Sequence, residues 1–330
     1  MFYIKSEIQK FRNDPLPQRF ISRLMDAAYS IAFARAESIH MPAKKITTEA
    51  LLINEVRYLN AYCGKDYSRK NILLALYSKN DDDLSNQVRL LKKCAEYAEY
   101  IRNTYKILPA TDFLKINDAL MNNDANILEN HIDSISSVLV DDVWPILNNF
   151  YSPKSETPDL LSLALAWAEL EDGFLCAKIH PFVKELLIAF SLRNTFEINH
   201  YSLFVMKQLI TQKLNTEDIG KYSLDFLNIM TNAANDKNDL LIELTFCADK
   251  INSKLNSESP KLYSDNILNM LCNHLLLNNT MVAEILGVST KTAISYLKQL
   301  EEIGLLKSER IDRELSYLNS FFVESIDKGG

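Results

Sequence analysis

Residues 279–306 read NTMVAEILGVSTKTAISYLKQLEEIGLL, and their apolar and turn residues repeat at the spacing of a helix-turn-helix followed by a wing. Thr280 is expected to cap a short helix whose inner face is Val282, Ala283 and Leu286. Gly287, four residues after Ala283, permits the tight turn because glycine accepts a left-handed backbone. Ser289 caps the next helix, Ala293, Leu297 and Leu300 form its buried stripe, and Gly304 ends it before Leu305 and Leu306. Thr290, Lys291, Ser295 and Lys298 are left facing outward. With Ser289 they form the candidate DNA-binding set, hydrogen-bonding and phosphate-neutralising side chains on the face that a recognition helix lays into a major groove. DNA is therefore the expected partner.

A small helical module that only packs on a protein partner is the competing reading, and two features weigh toward it. From Lys261 to Gly330 there are seven Lys and Arg against nine Asp and Glu, a net of −2, whereas a DNA-binding domain usually carries a positive surplus. Ile294 sits among the outward positions and suits a thymine methyl or a protein contact equally well.

With 330 residues and 47% hydrophobic content, the chain can bury large cores and is expected to form two or three domains. Its net charge of −7 gives no global attraction to nucleic acid or to an anionic membrane, so any DNA contact rests on a local patch. No apolar run is long enough to span a bilayer, and the opening MFYIKSEIQKF lacks the order of a signal peptide, so a cytoplasmic location is expected. Cys63, Cys94, Cys176, Cys247 and Cys272 are scattered without a CxxC pair or a histidine at ligand spacing. They read as core thiols, with no metal site expected.

Seven glycines and nine prolines, with apolar residues recurring every three to four positions, argue for a mainly helical protein. Helices are expected at 17–37, 48–61, 68–77, 83–105, 112–122, 157–170, 182–194, 202–214 and 216–251. The fourth carries a continuous stripe of Leu84, Val88, Leu91, Ala95, Ala98 and Ile101. Residues 136–151, SSVLVDDVWPILNNFY, hold short β-favouring runs around an Asp-Asp step, which suggests a hairpin. Residues 252–265, NSKLNSESPKLYSD, are polar and read as a linker.

Ile179-His180-Pro181-Phe182 follows a helical segment and precedes the apolar run LLIAFSL. Taken with the hairpin at 136–151, the Tyr151-Ser152-Pro153 exit, the C-terminal helix-turn-helix and the helical stretch from Leu16-Pro17 to Met41-Pro42, it makes the chain resemble the Fic family over roughly residues 112–214. The resemblance implies a mainly α fold: a Fic-like helical bundle with a small β-hairpin flap, plus a C-terminal winged helix-turn-helix domain. The expected divisions are an N-terminal helical region at 1–111, a Fic-like core at 112–251, a linker at 252–264 and the winged module at 265–330.

In active Fic enzymes the motif histidine is a general base that takes a proton from a target hydroxyl, and a following acid, glycines, asparagine and arginines bind magnesium and the nucleotide phosphates. This chain reads HPFVKELLIAF. Without a gap, Lys184 falls at the metal-binding acid, Glu185 and Leu186 at Gly-Asn, and Ile188 at the first arginine; with a gap, the anion loop is deleted. Either alignment removes the phosphate nest, which needs converging backbone N–H groups and glycines at positive φ. It also removes the cations that stabilise charge on a transferred phosphoryl group. His180 therefore reads as a vestigial catalytic residue, best explained as a histidine that caps or buttresses the Pro181 turn. Glu37-Ser38 resembles the inhibitory glutamate of some Fic proteins, although Phe33 stands where a serine or threonine is usual.

Other templates are missing: there is no GxxxxGK[ST], GxGxxG, HExxH or GxSxG. Asp81-Asp82-Asp83 reads as a helix start and Asp141-Asp142 as a turn, while Trp144 and Trp167 read as core or groove walls. The resulting expectation is a DNA-binding regulator on a catalytically inactive Fic-like core, with no cofactor. Two alternatives stand beside it. One is a protein adenylyltransferase using ATP, magnesium and His180 as general base; the other is an interaction scaffold. A protein partner and a homodimer are also weighed, and no membrane.

Overall fold

A computed structural model describes residues 18–40, 44–104, 109–129, 159–171, 179–184, 186, 205–212, 214 and 218–328. The protein is mainly helical with one small antiparallel sheet. In chain order the helices are α1 (Gln18–His40), α2 (Lys44–Tyr62), α3 (Arg69–Tyr77), α4 (Asp83–Thr104), α5 (Ala110–Asn122), α6 (Asp159–Glu171), α7 (Val205–Thr211) and α8 (Ile219–Glu258). There follow α9 (Asp265–Asn273), β1 (Leu276–Leu277), α10 (Asn279–Leu286), α11 (Thr290–Glu302), β2 (Leu306–Ile311), β3 (Glu314–Asn319) and α12 (Ser320–Lys328). Among the described residues no helix is long and apolar enough to cross a membrane.

The chain divides into two units. The first takes Met1–Ala36, Tyr58–Lys65 and Gln87–Lys237. Its core includes Val88, Leu91, Ala95, Ala98 and Ile101 of the α4 stripe, all buried at the helical spacing read from the sequence, whereas Leu84, the first residue of that expected stripe, is only half-buried in the first turn of the helix. Trp167 of α6 is fully buried and packs on Phe226 of α8 with ring centroids 5.9 Å apart. The hairpin expected at 136–151, Asp141, Asp142, Trp144 and Cys176 lie outside the described residues.

The second unit takes Glu37–Arg57, Asp66–Asn86 and Asn238–Gly330. Its sheet has the order β1-β3-β2: Leu276 and Leu277 pair with Leu318 and Tyr317, and β2 pairs with β3 from Leu306↔Asn319 to Ile311↔Glu314. Helix α9 starts at a Ser264 cap, whose side chain accepts from the Ile267 N–H. Buried Arg69 of α3 donates to Asn54 Oδ1 at 2.6 Å and to the Asp327 carbonyl at 3.3 Å, so residues 66–86 belong with the C-terminal elements. A module restricted to 265–330 is accordingly too small.

Three other expectations need correction. The linker at 252–264 is occupied in its first half by α8, which continues to Glu258 with Leu255 fully buried; its polar residues are the solvated face of a helix. The cap of α10 is Asn278, whose side chain accepts from the Met281 N–H at 2.9 Å, so Thr280 lies inside the first turn. Cys63 is exposed and is no core thiol, because α2 has already ended at Tyr62 and a left-handed Gly64 follows. Cys94, Cys247 and Cys272 are buried.

Candidate nucleic-acid interface

Helices α10 and α11 are joined at Gly287, whose φ of 63° is open to glycine at little cost, and Ser289 begins α11 by accepting from the Thr292 N–H at 3.2 Å. Ala293, Leu297 and Leu300 are fully buried, and the chain leaves α11 through Gly304 at φ 69°. Fixing that buried stripe fixes the opposite face. Ser289, Thr290, Lys291, Ser295 and Lys298 are all exposed, as read from the sequence, and Ile294 is half-buried. Two of these five already have local partners: Ser289 is the cap, and Ser295 Oγ accepts from Gln299 Nε2 at 3.2 Å.

The hairpin beside α11 adds residues that sequence reasoning missed. Lys307, Arg310 and Arg313 are exposed, and like those of Lys291 and Lys298 their side chains have neither a hydrogen bond nor an ion pair among the described residues. Four of the neighbouring acids are engaged. Glu309 pairs with Lys70 Nζ at 2.9 Å, and Glu314 pairs with Lys79 Nζ at 2.9 Å. Asp312 accepts from Ser78 Oγ and the Lys79 N–H, both at 2.9 Å, and Glu301 accepts from the Ser308 N–H at 2.9 Å. The hydrogen bonds from Lys79 and Ser78 hold the Asp312 carboxyl below its ordinary value, and those from Ser308 do the same for Glu301. The Lys79–Glu314 pair is solvent-exposed and adds little stability, while Lys70–Glu309 is half-buried. Their effect is on the local field, since Glu301, Glu309, Asp312 and Glu314 each face a donor of their own chain, although Glu284 and Glu302 stay exposed without one among the described residues. The alternation LKSERIDREL held the signal for the three hairpin cations, but not for which acids would be engaged.

In the first unit, His180 stands where a helical turn begins at Pro181. Its Nδ1 accepts from the Phe182 N–H at 3.2 Å, its carbonyl accepts from the Val183 N–H at 2.9 Å, and its own N–H donates to Asn117 Oδ1 of α5 at 2.8 Å. An Nδ1 that accepts a hydrogen bond carries no proton, so the neutral ring holds its proton on Nε2. Burial pushes the imidazole down to about 4. Phe182, Val183, Lys184 and Leu186 are buried, the packing of a core helix. Glu185 and Ile188 lie outside the described residues, and Glu37 belongs to α1, with only its backbone described. Among the described residues no group of His, Cys, Asp and Glu is placed to hold a metal ion.

No curated protein matches the chain. Residues 247–322, under a quarter of its length, match a family model described as protein adenylyltransferase SoFic-like, C-terminal domain. That stretch runs from the second half of α8 into α12, so the candidate interface and its sheet are similar to the C-terminal domain of a SoFic-like Fic-family protein.

Proposed function

We propose that this chain is a Fic-like regulator in which a C-terminal winged helix-turn-helix binds DNA and a helical core that has lost nucleotide-transfer chemistry serves as its scaffold or sensor. The observation that carries the reading is the set of five exposed cations, Lys291, Lys298, Lys307, Arg310 and Arg313, without ion pairs among the described residues, while Glu301, Glu309, Asp312 and Glu314 beside them are engaged and Glu302 alone of the acids between them is exposed without a partner. Such a surface neutralises phosphates without first breaking intramolecular pairs. The loss of transfer chemistry is supported by the sequence after His180, which offers neither arginine nor glycine for a phosphate, and by Nδ1 acting as a helix cap.

The test is retention of the duplex upstream of the protein's own gene, wild type beside a Lys291→Ala, Lys298→Ala double variant. The variant should bind more weakly, with a salt slope shallower by about 2, one unit for each phosphate that is no longer neutralised. Equal binding by both proteins counts against α11 as the reading helix. The second reading, protein adenylyltransferase, is favoured by the description of the matching family model. Heat released on titrating ATP with magnesium, together with label transfer abolished in His180→Ala, would establish it in place of the first.

A further inference from the structure

The tip of the hairpin is the part of this surface best placed to probe a minor groove, and here it is held. Asp312 turns the chain at a left-handed φ of 55°, which aspartate tolerates better than most residues. Both of its carboxylate oxygens are taken, one by the Ser78 hydroxyl and one by the Lys79 N–H. Lys79 reaches across to Glu314 on β3, and Lys70 on α3 reaches Glu309 on β2, so both strands are bonded to the same N-terminal segment. Between that segment and the hairpin lies a cleft of about 320 Å³, lined by Tyr67, Asn71, Leu74, Ser85, Arg310 and Asp312 among others. The tip is therefore backed by a helix and its following loop.

From this we infer that the protein grips B-form DNA through the major groove alone, with the hairpin as a fixed strut whose Lys307 and Arg313 reach phosphates only. The inference rests on the DNA-binding reading and specifies its partner and geometry. A minor groove is roughly 6 Å wide, and an α-helix with its side chains is roughly 10–12 Å across. A hairpin backed by α3 cannot follow its own tip into such a slot unless the contacts at Asp312, Glu309 and Glu314 all break. The major groove, roughly 12 Å wide, admits α11 as it stands. Double-stranded RNA is excluded by the same geometry, because its A-form major groove is too deep and narrow for a helix. The partner is thus duplex DNA read by Thr290, Lys291, Ser295 and Lys298.

The experiment uses the full chain and a labelled duplex from upstream of its own gene, followed by fluorescence anisotropy at low salt. Three variations are compared: added netropsin, a minor-groove ligand; the duplex methylated at guanine N7 in the major groove; and the same sequence as double-stranded RNA. The expected result is affinity unchanged within about twofold by netropsin and reduced about tenfold or more by N7 methylation and by the RNA backbone. Displacement by netropsin, indifference to N7 methylation, or equal binding of RNA overturns the inference while leaving nucleic-acid binding in place. Failure to retain even the unmodified duplex at low salt overturns the DNA-binding reading itself, and the inference with it.

Discussion

The His180 turn and the start of α11 both open a helix with a capping side chain, yet they put different residues behind it. His180 caps through Nδ1, and the residues that follow, Phe182, Val183, Lys184 and Leu186, go into the core. Ser289 caps α11 through its hydroxyl, and behind it Thr290, Lys291, Ser295 and Lys298 stay in water. A cap only starts a helix; the face that emerges from it decides whether the site can meet a ligand. At His180 the ring nitrogen that caps is no longer free for proton transfer, while at Ser289 the cap leaves both lysines untouched.

The contrast breaks most easily at the buried side of α11. Leu297 is fully buried beside Ala293 and Leu300, and Leu297→Ala should cost roughly 2–5 kcal/mol, the lost transfer energy plus an unfilled cavity. The exposed neighbour Lys298→Ala should move stability by no more than about 0.5 kcal/mol. Urea unfolding of the two variants side by side checks both. A Leu297→Ala protein as stable as Lys298→Ala would mean that α11 does not pack on this face, and its outward residues would lose their assignment.

His180 should show itself as a pH dependence. Its folded value is pushed down to about 4 by burial, against roughly 6.5 in an unfolded chain. Above about pH 6.5 the ring is neutral in both states and the stability is intact. As pH falls from there toward 4 the unfolded chain takes up the proton first, and stability declines by up to about 3 kcal/mol. His180→Asn keeps an acceptor for the Phe182 N–H and removes the titration, so its urea midpoint should be flatter across that window. Identical slopes in wild type and variant would show that His180 is not the buried cap described.

What could be read in advance was what repeats locally. The α4 stripe from Val88 onward, the α11 stripe and the glycines at 287 and 304 all obey rules that span four residues or fewer, and the structure places each as expected. Mistakes came where distant pairing decides. Asn278 and Thr280 are both good capping residues, and the choice between them follows from β1, where Leu276 and Leu277 pair with Leu318 and Tyr317 and bring Asn278 to the helix start. The polar run after residue 252 reads as a linker until Ile251, Leu255 and Leu262 are seen to be buried in one unit. The partners of Asp312 and Glu314 lie more than 230 residues away, beyond any local pattern.

A smaller effect sharpens the comparison of caps. Ser289→Ala should cost about 1 kcal/mol, because the Thr292 N–H then loses its acceptor at the helix start. Ser289→Asn should cost almost nothing, since asparagine caps equally well. Matching losses in the two variants would assign the serine a role other than capping.

The smallest effect expected is at the hairpin tip, where Asp312 is solvent-exposed. Its hydrogen bonds from the Lys79 N–H and the Ser78 hydroxyl favour the carboxylate and lower its folded value, so the contribution is present above the unfolded value, about pH 4. It is lost as pH falls below that through the folded value. Near neutral pH, Asp312→Asn should loosen the tip without unfolding the unit, which hydrogen exchange would report as faster exchange at Lys79 and unchanged protection of the buried core around Leu297. If the variant also made DNA binding sensitive to netropsin, the contact at Asp312 would be what keeps the tip out of the minor groove, and the fixed strut would be a property of one side chain rather than of the sheet. If exchange at Lys79 stayed as slow as in wild type, the hairpin would be held by Glu309 and Glu314 through their lysines, and Asp312 would matter only for the shape of the turn.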